Sequence, residues 1–516
     1  MSKELDNPQM DVYGGVRWSA IGAWGQQLVQ FGIGIVLARL LMPRDFGLLA
    51  MATVFIGFLG IFKYMGFHTA VVQRRQVDEA LLSSLYYFVL AVSGLLFVAT
   101  VAAAPVVAWV YGEPRVMGVT AVLGIGFLLS APCLIPFSVL SRQMKFGRLA
   151  VADLVSGVIG GGVSIALAVA GLGVWALAIG SLVGTAVCTL LYQALSQWRP
   201  RLIFRWSEVR SVFSFGANIT GFSLFNYFAR NADNFIIGAF LGAGPLGFYS
   251  LAYGILLKPR DAVTNVLMRV LFPAFSRMQD DDARLKAAYL RACGAIAFVT
   301  FPMMLGLMVV AHPFVQVVLG EKWLPAVPLI YVLAPLGMIQ SIWSTVGQLY
   351  LAKGRADWQL RWGLFSGIII MVSFLIGVPW GVFGVAVSYT AACVILLPVG
   401  FYVPFLLVQG LRLRDLAGAL FPHVLSAGLM AIAVACFRAG LSFLGVRSDM
   451  PTHLFFSVGI GIVVYCVLVF YVRPQALTDL RRLLPTPSFL FVHESVSEGV
   501  SAQLVDHSRK PAILSD

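Results

Sequence analysis

Charged side chains are scarce in this chain. Of 516 residues, 36 are Lys or Arg and 23 are Asp or Glu, only 11% charged, against roughly 25% in an average soluble domain. An ordinary soluble protein is thereby excluded. Cysteine is equally sparse: Cys133, Cys188, Cys293, Cys393, Cys436 and Cys466 sit singly inside apolar runs, with no spacing that suggests a disulfide framework or a metal pair. They read as small core residues. Six scattered histidines show no metal-helix spacing, so no metalloenzyme is visible. The stretch Met1–Val16 lacks a compact apolar core and a small-residue cleavage site. It reads as a polar leader, not a cleaved signal peptide.

What remains is apolar: 59% of the residues, at a mean hydropathy of +0.88. The bilayer is the solvent of such a chain. Its formal net charge is +13. In a soluble protein this would raise nucleic-acid binding, but in a membrane protein it reports cytoplasmic loops, and no nucleic-acid partner is expected.

A bilayer core of about 30 Å takes about 20 helical residues. Fourteen runs qualify, at approximately 16–38, 46–65, 83–110, 116–141, 149–170, 173–197, 212–240, 245–275, 288–311, 325–350, 360–379, 381–408, 416–437 and 453–472. Lys and Arg in alternate connections number 19 on one side and 6 on the other. That bias puts the richer side and both termini in the cytoplasm. Opposite connections run to about fifteen residues at most, too short for an external domain. Residues 473–516 contain four prolines and begin with Arg473, Arg481 and Arg482. They read as a disordered cytoplasmic tail touching anionic lipid.

An internal repeat organises the core. Residues 36–52 lie without gaps on 236–252, an offset of 200, while Gly112-Glu113 lies on Gly320-Glu321 and 173–178 on 381–386, both at an offset of 208. A nearly constant offset indicates duplication. The expected fold is an all-α integral membrane protein of about fourteen helices. Two six-helix lobes are related by a pseudo-two-fold axis, with two helices added. The expected division is a leader (1–15), an N-lobe (16–211), a C-lobe (212–410), helices thirteen and fourteen (411–472) and the tail (473–516). In such transporters the substrate site lies between the halves near mid-membrane. Gly157, Gly160, Gly161 and Gly162 in the fifth run suit close helix packing.

Charge inside the seventh and eighth runs is expensive. Asn218, Asn226, Arg230, Asp233 and Asn234 share one helical face, and Lys258, Arg260, Asp261 and Arg269 follow in the next run. At about 1.5 Å per residue, Arg230 lies about 24 Å and Arg260 about 22 Å from the cytoplasmic ends of their helices. A central charge costs at least about 2.5–3.5 kcal/mol, so each should face a wet cavity or a partner. One arrangement is a pair of buried bridges, Arg230 with Asp261 and Lys258 with Asp233. The other is a basic cavity, because Arg230, Lys258, Arg260 and Arg269 exceed Asp233 and Asp261 by two charges. An anionic guest such as a pyrophosphate would neutralise that surplus. Asp233 with Asn234 could hold Na⁺ or take a proton, or anchor Arg230, and Asp261 is a further candidate for gating.

The strings LARLLMPRDFGLLAM (37–51), GFHTAVVQR (66–74), RNADNFIIGAFLG (230–242), RVLFPAFSRMQDD (269–281) and GEKW (320–323) together resemble the bacterial polysaccharide transporter family, of the lipopolysaccharide and colanic-acid exporter type. The resemblance spans about Gly14 to Pro404. It implies the superfamily that also holds multidrug extruders and lipid II flippases, with twelve core helices in two lobes and alternating access. The implied cargo is an oligosaccharide on undecaprenyl pyrophosphate, turned from the inner to the outer leaflet of the bacterial inner membrane. The implied partners are membrane lipids and the polysaccharide polymerase and export machinery. No cofactor is implied beyond coupling to Na⁺ or H⁺. Arg230, Asp233 and Asn234 fall inside a matching string, whereas Lys258 and Arg260 depart from it, and their cavity role rests on physics alone. A membrane polymerase or ligase would need an ordered external loop bearing an acid, base or nucleophile. An extruder of cations would need an acidic or aromatic cavity. Short loops and surplus basic charge argue against both.

Overall fold

The computed structural model describes residues 8–64, 67–68, 71, 74, 77–443 and 451–472. The tail and its basic trio lie outside them, as does Arg447. Helix dominates, and among the described residues there is no strand. The helices are α1 (Pro8–Leu40), α2 (Pro43–Tyr64), α3 (Glu79–Tyr111) and α4 (Pro114–Ser130), which continues through a 3₁₀ turn into Leu134–Arg142. Then come α5 (Phe146–Val169), α6 (Val174–Ser196), α7 (Trp206–Leu241), α8 (Ala243–Arg277) and α9 (Asp282–Val309). A short turn at Ala311–Phe314, a π-helical segment at Val315–Leu319 and a 3₁₀ turn at Glu321–Ala326 lead into α10 (Val327–Ala352). Next are α11 (Ala356–Gly377), α12 (Gly381–Leu407), α13 (Leu413–Phe443) and α14 (Pro451–Val472).

Among the described residues ten stretches are long and apolar enough to cross a membrane, and one of them, Ala356–Leu407, is α11 and α12 together. With the long helices α1, α7 and α8, of 33, 36 and 35 residues, the crossings match the fourteen expected from the apolar runs. Helix α1 begins at Pro8, inside the stretch expected to be a polar leader.

The duplication is written into the backbone. Gly112 and Gly320 both adopt positive φ, +61° and +100°, and so do Gly173 and Gly381, +56° and +70°. Both pairs are related by the offset of 208, and a left-handed backbone favours glycine because it has no Cβ. At the offset of 200, α2 starts at Pro43 and α8 at Ala243. The repeated strings therefore place positive-φ glycines and helix starts at matching positions.

The two lobes are joined most tightly where α2 crosses α8. A Cβ on Gly47 would lie 1.7 Å from the Ala243 carbonyl oxygen, and one on Gly247 would lie 1.8 Å from that of Pro43. Backbone rests on backbone there. Around the crossing Leu48, Met51, Ala52, Leu246, Tyr249 and Ala252 are fully buried. The Trp323 ring, also buried, fills the adjoining space between Phe46 and Phe248, at 5.3 and 5.9 Å, and its Nε1–H donates to Ala38 O at 2.8 Å. Arg39 donates to Val317 O and Val318 O, and Lys322 Nζ donates to Arg39 O at 2.7 Å. At the opposite face the ion pairs tie together parts of the second lobe and α13: Lys353 with Asp282 at 2.6 Å, and Lys286 with Asp415 at 2.7 Å.

Of the four glycines expected to pack helices in α5, two do so. A Cβ on Gly160 would meet Gly180 O at 2.8 Å and one on Gly161 would meet Ile33 at 2.1 Å, while Gly157 and Gly162 have nothing within 4 Å. The cysteines divide too. Cys293 and Cys393 are buried, Cys133 and Cys188 are half-buried, and Cys436 and Cys466 are exposed. The last two are therefore not core residues: they lie on the outer helices α13 and α14, where lipid solvates a thiol as well as it does an alkyl group.

Candidate substrate and coupling site

The expected polar face of α7 resolves into two sides. Asn226 and Arg230, one helical turn apart, are exposed, and Asn234 continues the same strip half-buried. On one flank Tyr227 donates to Val54 O at 2.5 Å and the Phe228 ring packs on Phe58 at 5.3 Å, both contacts to α2 of the first lobe. On the other flank Asp233, 3% exposed, accepts from Tyr249 OH of α8 at 3.0 Å. The Arg230 strip thus lies between the side of α7 that meets the first lobe and the side that meets the second. Arg230 makes no ion pair among the described residues.

The expected bridge of Arg230 to Asp261 does not form among the described residues, and the other, Lys258 to Asp233, involves a side chain outside them. Asp261 pairs with its own neighbour, Arg260, at 2.6 Å, and not with Arg230. Asp233 is held by Tyr249 and by the Asn234 backbone N–H, which donates to it at 2.7 Å. The side chains of Lys258 and Arg269 lie outside the described residues. Depth along a helix, which the sequence supplies, sets the height of a charge but not its direction around the axis. A guanidinium is long enough to fold back onto the adjacent carboxylate.

From Arg260 a polar network runs through the second lobe. Arg260, 8% exposed, donates to Gln340 Oε1 of α10, and Gln340 Nε2 donates to Tyr389 OH of α12 at 2.7 Å. The hydroxyls of Tyr389 and Tyr253 lie 3.5 Å apart, and the Tyr253 ring stacks on Tyr249 at 5.5 Å. Tyr249 closes the run on Asp233. Residues 249, 253, 260 and 264 recur at helical spacing along one face of α8, and Thr264 is buried there, its hydroxyl donating to Arg260 O at 3.0 Å. A buried network of this kind stiffens the helices it joins and is costly when one member is left unpaired. Asn234 Oδ1, next to Asp233, is buried without a hydrogen-bond partner among the described residues. Carboxylate and amide oxygens are the hard donors that Na⁺ or a proton would use.

Sequence reading missed a second cluster, in the first lobe. Lys63, 2% exposed, donates to Ser130 at 2.5 Å, and Asp153 accepts from Tyr192 OH at 2.5 Å and from Cys188 at 3.7 Å. The available signal was a lysine and an aspartate at the ends of apolar runs. Gln340, Tyr249, Tyr253 and Tyr389 were equally inconspicuous, since single Tyr and Gln residues are common in membrane helices. Between α1 and α8 there is also a pocket of about 190 Å³, walled mainly by Phe31, Ile35, Phe46, Leu251 and Ile255, with Gln30 also in its lining.

Fourteen long helices among the described residues, in two repeated lobes with buried polar networks inside them, define a membrane transporter. Comparison with known proteins gives the family. The pattern of the family described as "Polysaccharide biosynthesis protein" matches residues 36–328, and the chain belongs to that family. It is 30% identical to the teichuronic acid biosynthesis protein TuaB of Bacillus subtilis (strain 168), over 91% of this chain and 98% of that protein. It is 28% identical to the lipopolysaccharide biosynthesis protein WzxC of Escherichia coli (strain K12), over 82% of this chain and 86% of that one. Among solved structures, the lipid II flippase MurJ in an inward closed conformation superposes with a TM-score of 0.72 at 14% identity, covering 89% of this chain and 99% of that chain. That likeness establishes the fold alone, a two-lobe all-helical membrane architecture.

Proposed function

We propose that the protein is a flippase, moving oligosaccharide repeat units linked to undecaprenyl pyrophosphate across the bacterial inner membrane by alternating access, for exopolysaccharide or lipopolysaccharide biosynthesis. Family membership supports the reading, and so does a flippase fold. The observation that carries the anionic part is Arg230, exposed at the junction of the lobes, flanked by Asn226 and Asn234 and in no ion pair among the described residues. A guanidinium there offers a planar fork of donors to a phosphate. Lys258 and Arg269 add charge to the same region in this reading. Arg260 enters when its bond to Asp261 opens. The pocket between α1 and α8 has the apolar wall that a polyprenyl chain would need.

In this reading the termini and the basic connections are cytoplasmic, following the bias of 19 against 6. The α2–α8 crossing then closes the outer face. Coupling to Na⁺ or H⁺ runs through Asp233 and Asn234, whose link to Tyr249 carries the change of state to Arg260. The chain performs no covalent chemistry; its products would pass to a polysaccharide polymerase and export machinery. The test is export in cells whose own transporter is deleted: Arg230→Ala should abolish surface polysaccharide at wild-type protein levels, and Arg230→Lys should restore part of it. Full export by Arg230→Ala would overturn the anion-binding role.

A further inference from the structure

We infer that the connection between the lobes, residues 198–206, is a preformed docking strap for anionic phospholipid. It joins the end of α6 to the start of α7 and crosses the start of α3, so it lies at the membrane surface where these helices emerge. Two features of the strap carry the inference.

The first is that its backbone is held. Arg201 N–H donates to Ser83 Oγ at 3.1 Å and Arg205 N–H to Ser84 Oγ at 2.9 Å, and both serines are fully buried. Trp198 anchors the entry: it is buried, its Nε1–H donates to Glu79 at 3.3 Å, and its ring meets Tyr86 at 5.7 Å. Nine residues without helical structure between Gln197 and Arg205 are thus fixed before any ligand arrives, which removes the ordering cost of binding.

The second is what the held backbone presents. Leu202 sits at the apex of a tight turn, closed by the Ile203 N–H on Arg201 O at 2.7 Å, and is 96% exposed. Phe204 and Trp206 follow, each 54% exposed, with Arg199, Arg201, Arg205 and Arg210 exposed around them. Leu202, Phe204 and Trp206 alternate along the strap with residues that include Arg201 and Arg205, a mixed apolar and cationic surface unlike the charge-depleted core that a protein partner buries. They match an interface where tips enter the acyl boundary while cations meet phosphate, with an aromatic ring at headgroup level. The strap is bonded to α3 of the first lobe, and α7 of the second begins at Trp206. Lipid would therefore hold the point about which the lobes pivot. The inference takes from the proposed orientation only the identity of the leaflet, which is the cytoplasmic one.

The test uses the full chain in nanodiscs, with the fluorescent amino acid dansylalanine at Leu202. Brominated phosphatidylglycerol should quench it several-fold more than brominated phosphatidylcholine, and its emission should be blue-shifted. In the variant carrying Arg201→Gln and Arg205→Gln the blue shift should persist while the several-fold preference for the anionic lipid is lost, since each arginine can supply up to about fivefold. Water-like emission in both lipids, equal quenching by both, or a shift seen only in native membranes and never in nanodiscs would each overturn the assignment, the last in favour of a protein partner. Nanodisc quenching does not depend on which face is cytoplasmic, so failure here and failure of the orientation remain distinguishable.

Discussion

Gly47 and Gly247 face each other's helices across the junction of the two lobes: the Cβ that each lacks would strike the carbonyl oxygen of Ala243 or Pro43, at 1.7 and 1.8 Å. They stand 200 positions apart in the sequence, as do the two residues they meet, so a single contact is made twice about the pseudo-two-fold axis. No side chain fits at either position while the crossing is closed.

Gly47→Leu and Gly247→Leu should therefore have the same effect, pushing α2 from α8 and disfavouring the closed crossing by about 1–3 kcal/mol or more. The readout is labelling by an impermeant maleimide of a cysteine placed at Leu48, 1% exposed, with the exposed Cys436 and Cys466 replaced by alanine. Labelling should rise strongly in both variants. Gly244→Ala, where an added Cβ meets nothing within 4 Å, should leave it unchanged.

The Arg260 network makes a pairwise prediction. Gln340→Leu or Asp261→Asn strands part of a buried guanidinium and should destabilise the protein by about 1–3 kcal/mol, the Asp261 change less because that carboxylate is partly solvated. Adding Arg260→Met to Asp261→Asn should recover the loss in thermal unfolding. Neutralising Arg230 together with Asp261 should recover nothing, because those two side chains are not partners.

His68, between α2 and α3, gives a pH dependence. Its Nδ1 lies 3.0 Å from Ser138 Oγ, and burial holds its pKa below the ordinary 6.5. The folded state therefore favours the neutral ring, and the unfolded chain binds the proton more readily. The contribution of this residue to stability is complete above about pH 6.5 and is lost as pH falls below that value toward the folded pKa. A melting-temperature series from pH 8 to pH 5 should show that decline, and His68→Gln should flatten it.

The lateral ties of the second lobe should be worth less. Lys353 and Asp282 are 18% and 26% exposed, and Lys353→Met should cost on the order of 1 kcal/mol. The loss should shrink at high salt, and export should survive it.

The helices and their repeat were legible because apolar length and a recurring glycine are local signals. Gly112 and Gly320, or Gly173 and Gly381, need no partner to mark a backbone of positive φ. The network was not legible, because Gln340 and Tyr389 acquire meaning only when α10 and α12 are set beside α8. Likewise Cys188 and Asp153, 35 residues apart, meet only after α5 and α6 pack. Arg230 and Asp233 stand out together in the sequence as costly charges on one helical face, but three residues of helix turn the first toward open space and the second into the second lobe. Their roles diverge at that point, and height in the membrane carries no trace of it.

The most direct test of the central claim is the movement of a pyrophosphate-linked polyprenyl oligosaccharide across vesicles containing the purified protein, with wild type and Arg230 variants at matched amounts of folded protein. The account predicts rapid flipping by wild type, none above empty vesicles for Arg230→Ala, and an intermediate rate for Arg230→Lys. Wild-type flipping by Arg230→Ala, or equal flipping of an uncharged polyprenyl glycan, would contradict it.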